Sequence, residues 1–534
     1  MKLLPYSTAG LLSLTLISCG GSGDSTKVEK PHAWKKDIFQ SETLFKNKCV
    51  SPRPKSVINP YTNKAYPDTA GTLMDEQLWV RSWNNNVYLW YDEVIDQDPI
   101  AFDSAESYFQ KTLKTTQRTN SGTLKDQFSY SVSTSKQNQL FQSGVQSGYG
   151  AKWLIKDNQS TGDRGLYVKY SEPNSPAEKQ GLLRGARIIE VDGVNLATFS
   201  TEAQRTTINK GITPATLGET HTFKFLAAGS SSPRTISLTS KNIVIQPVQK
   251  TTILSNSQSG DKIGYMLFNA HISTARDQLI NSFDYFKQNR VDDLIIDMRY
   301  NGGGLVTVAN LLASLVSGSS STQGKDNYFL RKEMNDKHKT INPFTGKAIK
   351  KQYFYTSYNN GTPLPRLDLN RVYILSGANT CSASELVING LRGVGIEVIL
   401  IGETSCGKPY GFSPTDNCGI SYSTINFKGA NAQGFGDYSD GFTPANGSGR
   451  RDIGERITGC VAPDDLTHEL SDPAETRLLT ALNYHDTGSC INYSQAELQA
   501  RKITSNNAIN QLSIQADAEW KNSALFTSNN LGLK

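Results

Sequence analysis

Apolar residues recur at steps of four, four, three and four through Trp79, Trp83, Val87, Trp90 and Val94, the spacing of one helical face. A second helix is predicted over Ala105–Lys114, and the two define a small helical unit spanning 75–140 with the aromatic stripe as its core. From about 141 to 245 the pattern shortens to β-rich runs at Ala151–Ile155, Gly165–Tyr170, Arg187–Val191, His221–Leu226 and Thr235–Leu238, each bounded by turn residues. Strand and helix then alternate. Ile263–Phe268, Leu294–Met298, Val372–Leu375 and Val398–Ile401 read as strands; Arg276–Asn289, Leu305–Val316 and Ser382–Arg392 read as helices. This predicts an α/β core over 250–490 whose strands are covered on both faces. Gly318 to about Arg366 is polar and reads as a long surface loop. Asp464–Leu470 and Ala474–Tyr484 resume helical spacing, and 491–534 is a polar tail.

The N-terminus follows a different rule. Lys2 precedes an apolar stretch, Leu3–Ile17, which ends at Ser18-Cys19-Gly20. A charged start, an apolar segment and a small residue before a cleavage point describe a secretory signal. The stretch is too short for a stable membrane span. Leu16-Ile17-Ser18-Cys19 resembles the bacterial lipobox. The resemblance implies that 1–19 is a signal ending at a diacylated Cys19, and that the protein is lipid-anchored in the cell envelope. Gly20 resembles the residue that follows the anchor in lipoproteins sorted to the outer membrane, facing periplasm or cell surface. Residues 20–74 read as tether and irregular lead-in.

Composition narrows the function. A formal charge of +6 over 534 residues, without a dense basic run, gives no case for nucleic acid. Of seven cysteines, six remain once Cys19 is set aside, an even number that predicts disulfides in an exported chain. Cys406 and Cys418 flank a turn-rich segment and are the expected pair. No Cys/His ligand spacing occurs, and neither a metal nor a cofactor is expected.

Ser175-Pro176-Ala177 leads through Gly181-Leu182 to Gly185-Ala186-Arg187-Ile188-Ile189-Glu190-Val191-Asp192-Gly193, a short helix and then a strand ending in a hairpin turn. This pattern resembles a PDZ domain of the kind found in exported proteases, here over 141–245. Gly148-Tyr149-Gly150-Ala151 stands where such a domain cradles a chain-terminal carboxylate on backbone amides.

Three segments at strand ends carry the chemistry. Asp297-Met298-Arg299-Tyr300-Asn301-Gly302-Gly303-Gly304 runs from a buried strand into glycines whose amides can face a cleft unobstructed. Ser382-Ala383-Ser384-Glu385 opens a helix: Ser382 is either its N-cap, in a capping box with Glu385, or a nucleophile helped by the helix N-terminus. Gly402-Glu403-Thr404-Ser405-Cys406-Gly407-Lys408 follows an apolar strand, with Lys408 placed 26 positions after Ser382. A serine hydroxyl needs a base, and lysine serves only when burial keeps it neutral.

In this order the segments resemble the C-terminal processing peptidases, or tail-specific proteases, over residues 75 to 490. The resemblance implies a multidomain α+β chain: a helical N-terminal domain, a PDZ-like domain and a crotonase-like α/β core of ββα units. It assigns Ser382 as nucleophile, Lys408 as base, and the amides of Gly303, Gly304 and Ala383 as oxyanion donors. Its partners are protein or peptide substrates. This chain departs from the family at three places. Phe412 stands where many members carry a Gln that orients the lysine; Gly393-Val394-Gly395 stands where some carry an acidic residue in the turn after the nucleophile, with the Ser–Lys interval one residue longer; and Phe128 replaces His in Asp126-Gln127-Phe128-Ser129. His271 is a second conceivable base, although a structural role suits it better. Two other classes remain open: an inactive peptide-binding lipoprotein, and an acyl-thioester enzyme of crotonase type, which secretion and the PDZ module oppose.

Overall fold

The computed structural model describes residues 34–59, 62–158, 163–255, 259–446, 454–494 and 531–533. The signal, Cys19 and most of the polar tail lie outside them. The first helix spans Leu73–Val87. Thr72 caps it: its hydroxyl accepts from Asp75 N–H at 3.2 Å, and the Asp75 carboxylate accepts from Thr72 N–H at 2.9 Å. Trp79, Trp83 and Val87 are buried as expected, together with Leu78, but the helix does not continue to Trp90 and Val94. Asn84-Asn85-Asn86 weakens it. A tertiary bond then takes the chain away, with Leu89 N–H donating to Ile425 O at 2.8 Å. Trp90 instead stands edge-on to Tyr410, with ring centroids 4.8 Å apart. The second helix, Ala105–Thr112, is capped by Ser104.

This unit is not closed on itself. Its core of Trp79, Trp83, Tyr108 and Phe109 includes Tyr422 from far along the chain. Strand Tyr130–Ser133 pairs with Ile420–Ser423, which pairs with Thr415–Asn417. The lead-in is fastened to the same hairpin. Arg53 bridges Asp68 and Asp416 at 2.7 Å each, and Cys49 is bonded to Cys418. The expected Cys406–Cys418 pair therefore does not form, and Cys406 joins Cys381. Between the two cysteines the strand Tyr410–Phe412 enters a different sheet, against Ile425–Ala430. That separates Cys406 from the hairpin that carries Cys418.

The PDZ-like region is an antiparallel sheet in the order Pro233–Thr239, Thr220–Leu226, Arg187–Val191, Asp163–Ser171, Ala151–Asn158. Trp153, Leu166, Val168, Ile188, Ile208 and Phe223 fill its core. Among the described residues Ala151–Asn158 has a strand partner on one side only, so its other edge is open there.

The peptidase region is built on a six-stranded sheet: Val248–Ser255, Lys262–Phe268, Asp293–Asp297, Arg371–Ser376, Glu397–Gly402, Gly459–Val461. All neighbours after the first pair are parallel. Alternation along the strands divides two cores. Ile296 and Ile374 face helices Ala275–Asn289, Val306–Val316 and Ala383–Gly393. Ile295, Tyr373 and Leu375 face Leu478 of helix Thr476–Thr487. Two expectations fail here. The supposed loop after Gly318 contains strand Tyr328–Glu333, because Phe329 and Leu330 are buried against the core and the strand pairs with Ile425–Ala430. Asp464–Leu470 is turn rather than helix, because Asp464 and Asp465 are spent on tertiary and local bonds. Among the described residues no helix is long and apolar enough to cross a membrane.

A buried charge cluster joins the PDZ-like sheet to this core. Arg184 donates to Asp464 at 2.9 Å and to Tyr300 Oη at 2.8 Å; Arg299 donates to Glu475 at 2.5 and 2.8 Å and to Asp297 at 3.0 Å. Burial alone would raise the Asp464 carboxyl. Arg184, Arg477 and Arg299 outweigh it and hold the group well below the usual range.

Candidate active site

The parallel ladder between Arg371–Ser376 and Glu397–Gly402 ends at Ser376 opposite Gly402. Both chains then leave the sheet on the same side, one toward Ser382 and the other toward Lys408. The central strand leaves beside them into Asn301–Gly304. Asn301 organises this edge. Its carbonyl accepts from Cys381 N–H at 3.1 Å and Ser384 Oγ at 2.9 Å. Its side-chain Oδ1 accepts from Gly303 N–H and from His271 Nδ1, both at 3.0 Å. Since Oδ1 only accepts, His271 carries its proton on Nδ1. Burial pushes the His271 pKa down to about 3, against the pull of Asn301 and Gly303, so the ring is neutral.

The glycines are needed for close approach. A Cβ on Gly303 would lie 2.8 Å from Ala383 N and 2.9 Å from Ser382 Cβ, and one on Gly304 would lie 2.2 Å from His271 O. Of the three expected oxyanion donors, Gly303 already gives its N–H to Asn301. The Gly304 amide takes no part in the neighbouring bridge, which runs from His271 N–H to Gly303 O and from Leu305 N–H to His271 O. Ala383 is the first residue of its helix, where the amide has no intrahelical acceptor.

Ser382 sits in a rare conformation for a residue with a side chain, φ 58° and ψ −109°. Its Oγ is buried and, among the described residues, without a hydrogen-bond partner. Ser382 and Glu385 stand in the expected capping-box arrangement, in which Glu385 reaches back to Ser382 N–H at 2.9 Å, although the serine Oγ makes no cap hydrogen bond of its own. The rest of the Glu385 carboxylate holds the third segment. It accepts from Lys408 N–H at 2.8 Å, Gly407 N–H at 2.7 Å and Ser405 Oγ at 2.6 Å. A single oxygen, Oε2, takes both the Ser382 and the Lys408 amides, which puts the two backbones side by side. Burial raises the Glu385 pKa, and these donors pull it back. The sequence offered Glu385 only as a cap, and the tertiary use of its carboxylate has no local signal.

Lys408 is fully buried. Its Nζ lies over the rings of Phe412, at 4.5 Å, and Phe128, at 4.9 Å. Two of the three positions at which the chain departs from the family pattern thus meet at the lysine head. Burial lowers the Lys408 pKa to about 7, although the charges of Asp126 and Glu385 favour the ammonium. Asp126 is held by Ser129 N–H at 2.8 Å and Tyr88 Oη at 2.8 Å. A cavity of about 480 Å³ opens two residues away, where Tyr410 meets Glu93, Arg118, Lys125 and Asp437. The arrangement has the parts for acyl transfer: a hydroxyl not spent on its helix, a lysine poised to be neutral, and the Gly304 and Ala383 amides, which the His271 bridge and the helix leave unused.

In the PDZ-like region, Tyr149 O accepts from Ala177 N–H at 3.0 Å and Gly150 O from Glu172 N–H at 2.8 Å. These bonds seat the Gly148–Ala151 turn beneath the start of the short helix Pro176–Lys179, directly before the open strand. Gly150, at φ 85°, has no room for a side chain: a Cβ would lie 2.2 Å from that of Ser175.

Comparison with known proteins gives two family matches in this chain. The sequence model of Peptidase family S41 matches residues 262–418, and that of the PDZ domain matches 137–217. A carboxyl-terminal-processing protease of Picosynechococcus sp. is 25% identical over 237 residues, 44% of this chain and 49% of the relative. One of Synechocystis sp. is 25% identical over 294 residues, 54% of this chain and 60% of the relative. The chain thus spans about half the length of the curated relatives it matches. A structure described as an S41 protease from Bacteroides fragilis shares the fold with a TM-score of 0.55 at 20% identity, over 80% of this chain and 99% of that one.

Proposed function

We propose that this chain, which belongs to the C-terminal processing peptidases and carries a PDZ domain, is a serine endopeptidase whose nucleophile is Ser382 and whose general base is Lys408. The observation that carries the reading is the shared carboxylate oxygen that holds both backbones beside a fully buried lysine with a pKa of about 7. Neutral Lys408 takes the Ser382 proton, and Oγ attacks the peptide carbonyl. The Ala383 and Gly304 amides receive the oxyanion; Gly303 shapes the hole by having no side chain. Lys408 then returns its proton to the leaving amine, and water clears the acyl-enzyme through the reverse transfers.

In the structure Ser382 Oγ is shut off from solvent, so substrate must open the site before attack. In this reading a substrate chain adds as a strand to the free edge of Ala151–Asn158, with its terminal carboxylate on the amides of Gly148–Ala151. The substrates are exported or misfolded proteins, and Cys19 bears the lipid that keeps the enzyme in the envelope. The test is digestion of an unfolded protein with an apolar C-terminus by the chain from Gly20 onward, alongside Ser382→Ala and Lys408→Ala. Loss of cleavage in both variants supports the dyad. Cleavage that survives Lys408→Ala moves the base elsewhere. Peptide binding without any cleavage by the parent leaves an inactive binding lipoprotein.

A further inference from the structure

We propose that the Cys381–Cys406 disulfide is a positioning element of the active site, a covalent staple that keeps the turn carrying Ser382 in register with the loop carrying Lys408. The inference rests on the dyad reading above.

Cys381 immediately precedes the nucleophile, and Cys406 stands two residues before the base. Both are buried, at 0% and 4% exposure. Their position matters because the sheet no longer helps there. The ladder between the two parent strands ends at Ser376 and Gly402, and from residue 403 to the strand starting at Tyr410 the lysine-bearing chain has no regular structure. Beyond the ladder four kinds of link hold the two chains together. The first is a pair of backbone bonds, Glu403 N–H to Ser376 O at 3.1 Å and Cys406 N–H to Thr380 O at 3.0 Å. The second is the Ser376 hydroxyl, which donates to Glu403 O at 2.8 Å; the third is the Glu385 carboxylate, and the fourth is the disulfide.

The serine itself needs outside restraint. A non-glycine residue at φ 58° persists only where its surroundings over-determine the turn. Cys381 supplies that restraint from the residue before, as Glu385 does from the helix after. The other disulfides do neither job. Cys49–Cys418 fastens the lead-in to a hairpin, and Cys460–Cys490 fastens the edge strand to the segment after the last helix.

Loss of the staple has a signature beyond lower stability. Lys408 Nζ is enclosed by Phe128 and Phe412, with Asp126 and Glu385 as the charged groups facing it. A loosened loop admits water to the ammonium, and its pKa climbs from about 7 toward that of a free lysine. The reaction needs neutral lysine, so the acidic limb of the kcat/KM profile moves to higher pH. The deficit is then large near neutrality and shrinks in alkali.

The experiment compares the full chain with Cys381→Ala/Cys406→Ala and with Cys460→Ala/Cys490→Ala, measuring kcat, KM and the pH profile on an unstructured peptide. The first variant should lose about tenfold to a hundredfold in kcat, the scale of a misplacement of about 1 Å, with KM held and the limb displaced upward. The control should keep the parental kcat and limb. A folded Cys381→Ala/Cys406→Ala variant with parental kcat and limb overturns the staple, as does an equal loss in the control. Cys381→Ser/Cys406→Ser, closer in volume, is measured the same way if the alanine pair does not fold. Ser382→Ala separates the two ideas: cleavage that survives it refutes the dyad itself.

Discussion

The chain contains the pattern Ser-x-x-Glu at the start of two helices, Ser175-Pro176-Ala177-Glu178 in the PDZ-like region and Ser382-Ala383-Ser384-Glu385 in the peptidase region. The first behaves as local rules require. Ser175 is extended, at φ −72° and ψ 162°, and its Oγ accepts from Glu178 N–H at 3.2 Å. The second does not. Ser382 is turned to positive φ and, among the described residues, its Oγ has no hydrogen-bond partner, while the Glu385 carboxylate holds three groups of the Lys408 loop as well as the Ser382 amide. A hydroxyl committed to a helix end is a poor candidate for chemistry. Tertiary structure releases the second one, at a cost of about 1–3 kcal/mol for the backbone and a similar sum for the buried unpaired oxygen.

Breaking the comparison on the peptidase side has the largest effects. Ser382→Ala should remove turnover by about 10⁴-fold or more while leaving the melting temperature unchanged or higher, since it deletes an unpaired buried oxygen. A marked loss of stability would mean that the hydroxyl is a cap after all. Glu385→Gln keeps the shape but turns an amide NH₂ toward N–H donors. It should lower kcat by about 10²-fold and stability by about 2–3 kcal/mol, read from peptide kinetics and urea unfolding. If kcat stays parental, the shared carboxylate is not what aligns the two segments.

A smaller effect sharpens the role of the aromatic enclosure. In the parent, kcat/KM should rise with pH through about 7, as Lys408 loses its proton. Phe412→Gln puts a polar group beside an ammonium now 4.5 Å from a ring. That favours the charged form, raises the pKa and carries the limb upward. Activity at neutral pH should fall about tenfold for every whole step in pH that the limb climbs, and recover in alkali. An unmoved limb would remove the ring from the account. Linkage has its own sign. The folded pKa of Lys408 lies below the unfolded 10.5, so this group costs stability increasingly as pH falls from about 10.5 to about 7.

The strands of the core were legible because buried parallel strands show as short apolar runs bounded by turns, as in Leu294–Met298. The placement of Ser382, Lys408 and the glycines just beyond strand ends was legible in the same way. What stayed hidden depends on distant parts of the chain. The Trp stripe ran past the true helix end, because Leu89 is drawn off by Ile425. Cys49 and Cys418 are 369 residues apart, and no local feature pairs them. Phe128 and Phe412 looked like two unrelated departures until the fold set both against one lysine.

The smallest effect tests the other half of the comparison. If Ser175 is only a cap, Ser175→Ala should cost about 1 kcal/mol in urea unfolding, the usual worth of a serine at that position. The Ser175 Cβ, 2.2 Å from where a Cβ on Gly150 would stand, remains in place, so the Gly148–Ala151 turn keeps its packing. Cleavage of a short amidated peptide, which offers no terminal carboxylate, should then match the parent in kcat and in pH limb. A fall in kcat on that peptide would show that the first Ser-x-x-Glu is coupled to the second, most directly through Arg184, which lies nine residues after Ser175 and reaches Tyr300 Oη at 2.8 Å. An unchanged kcat would leave one pattern serving a helix end and the other serving chemistry, with the difference set by the backbone conformation each serine is held in.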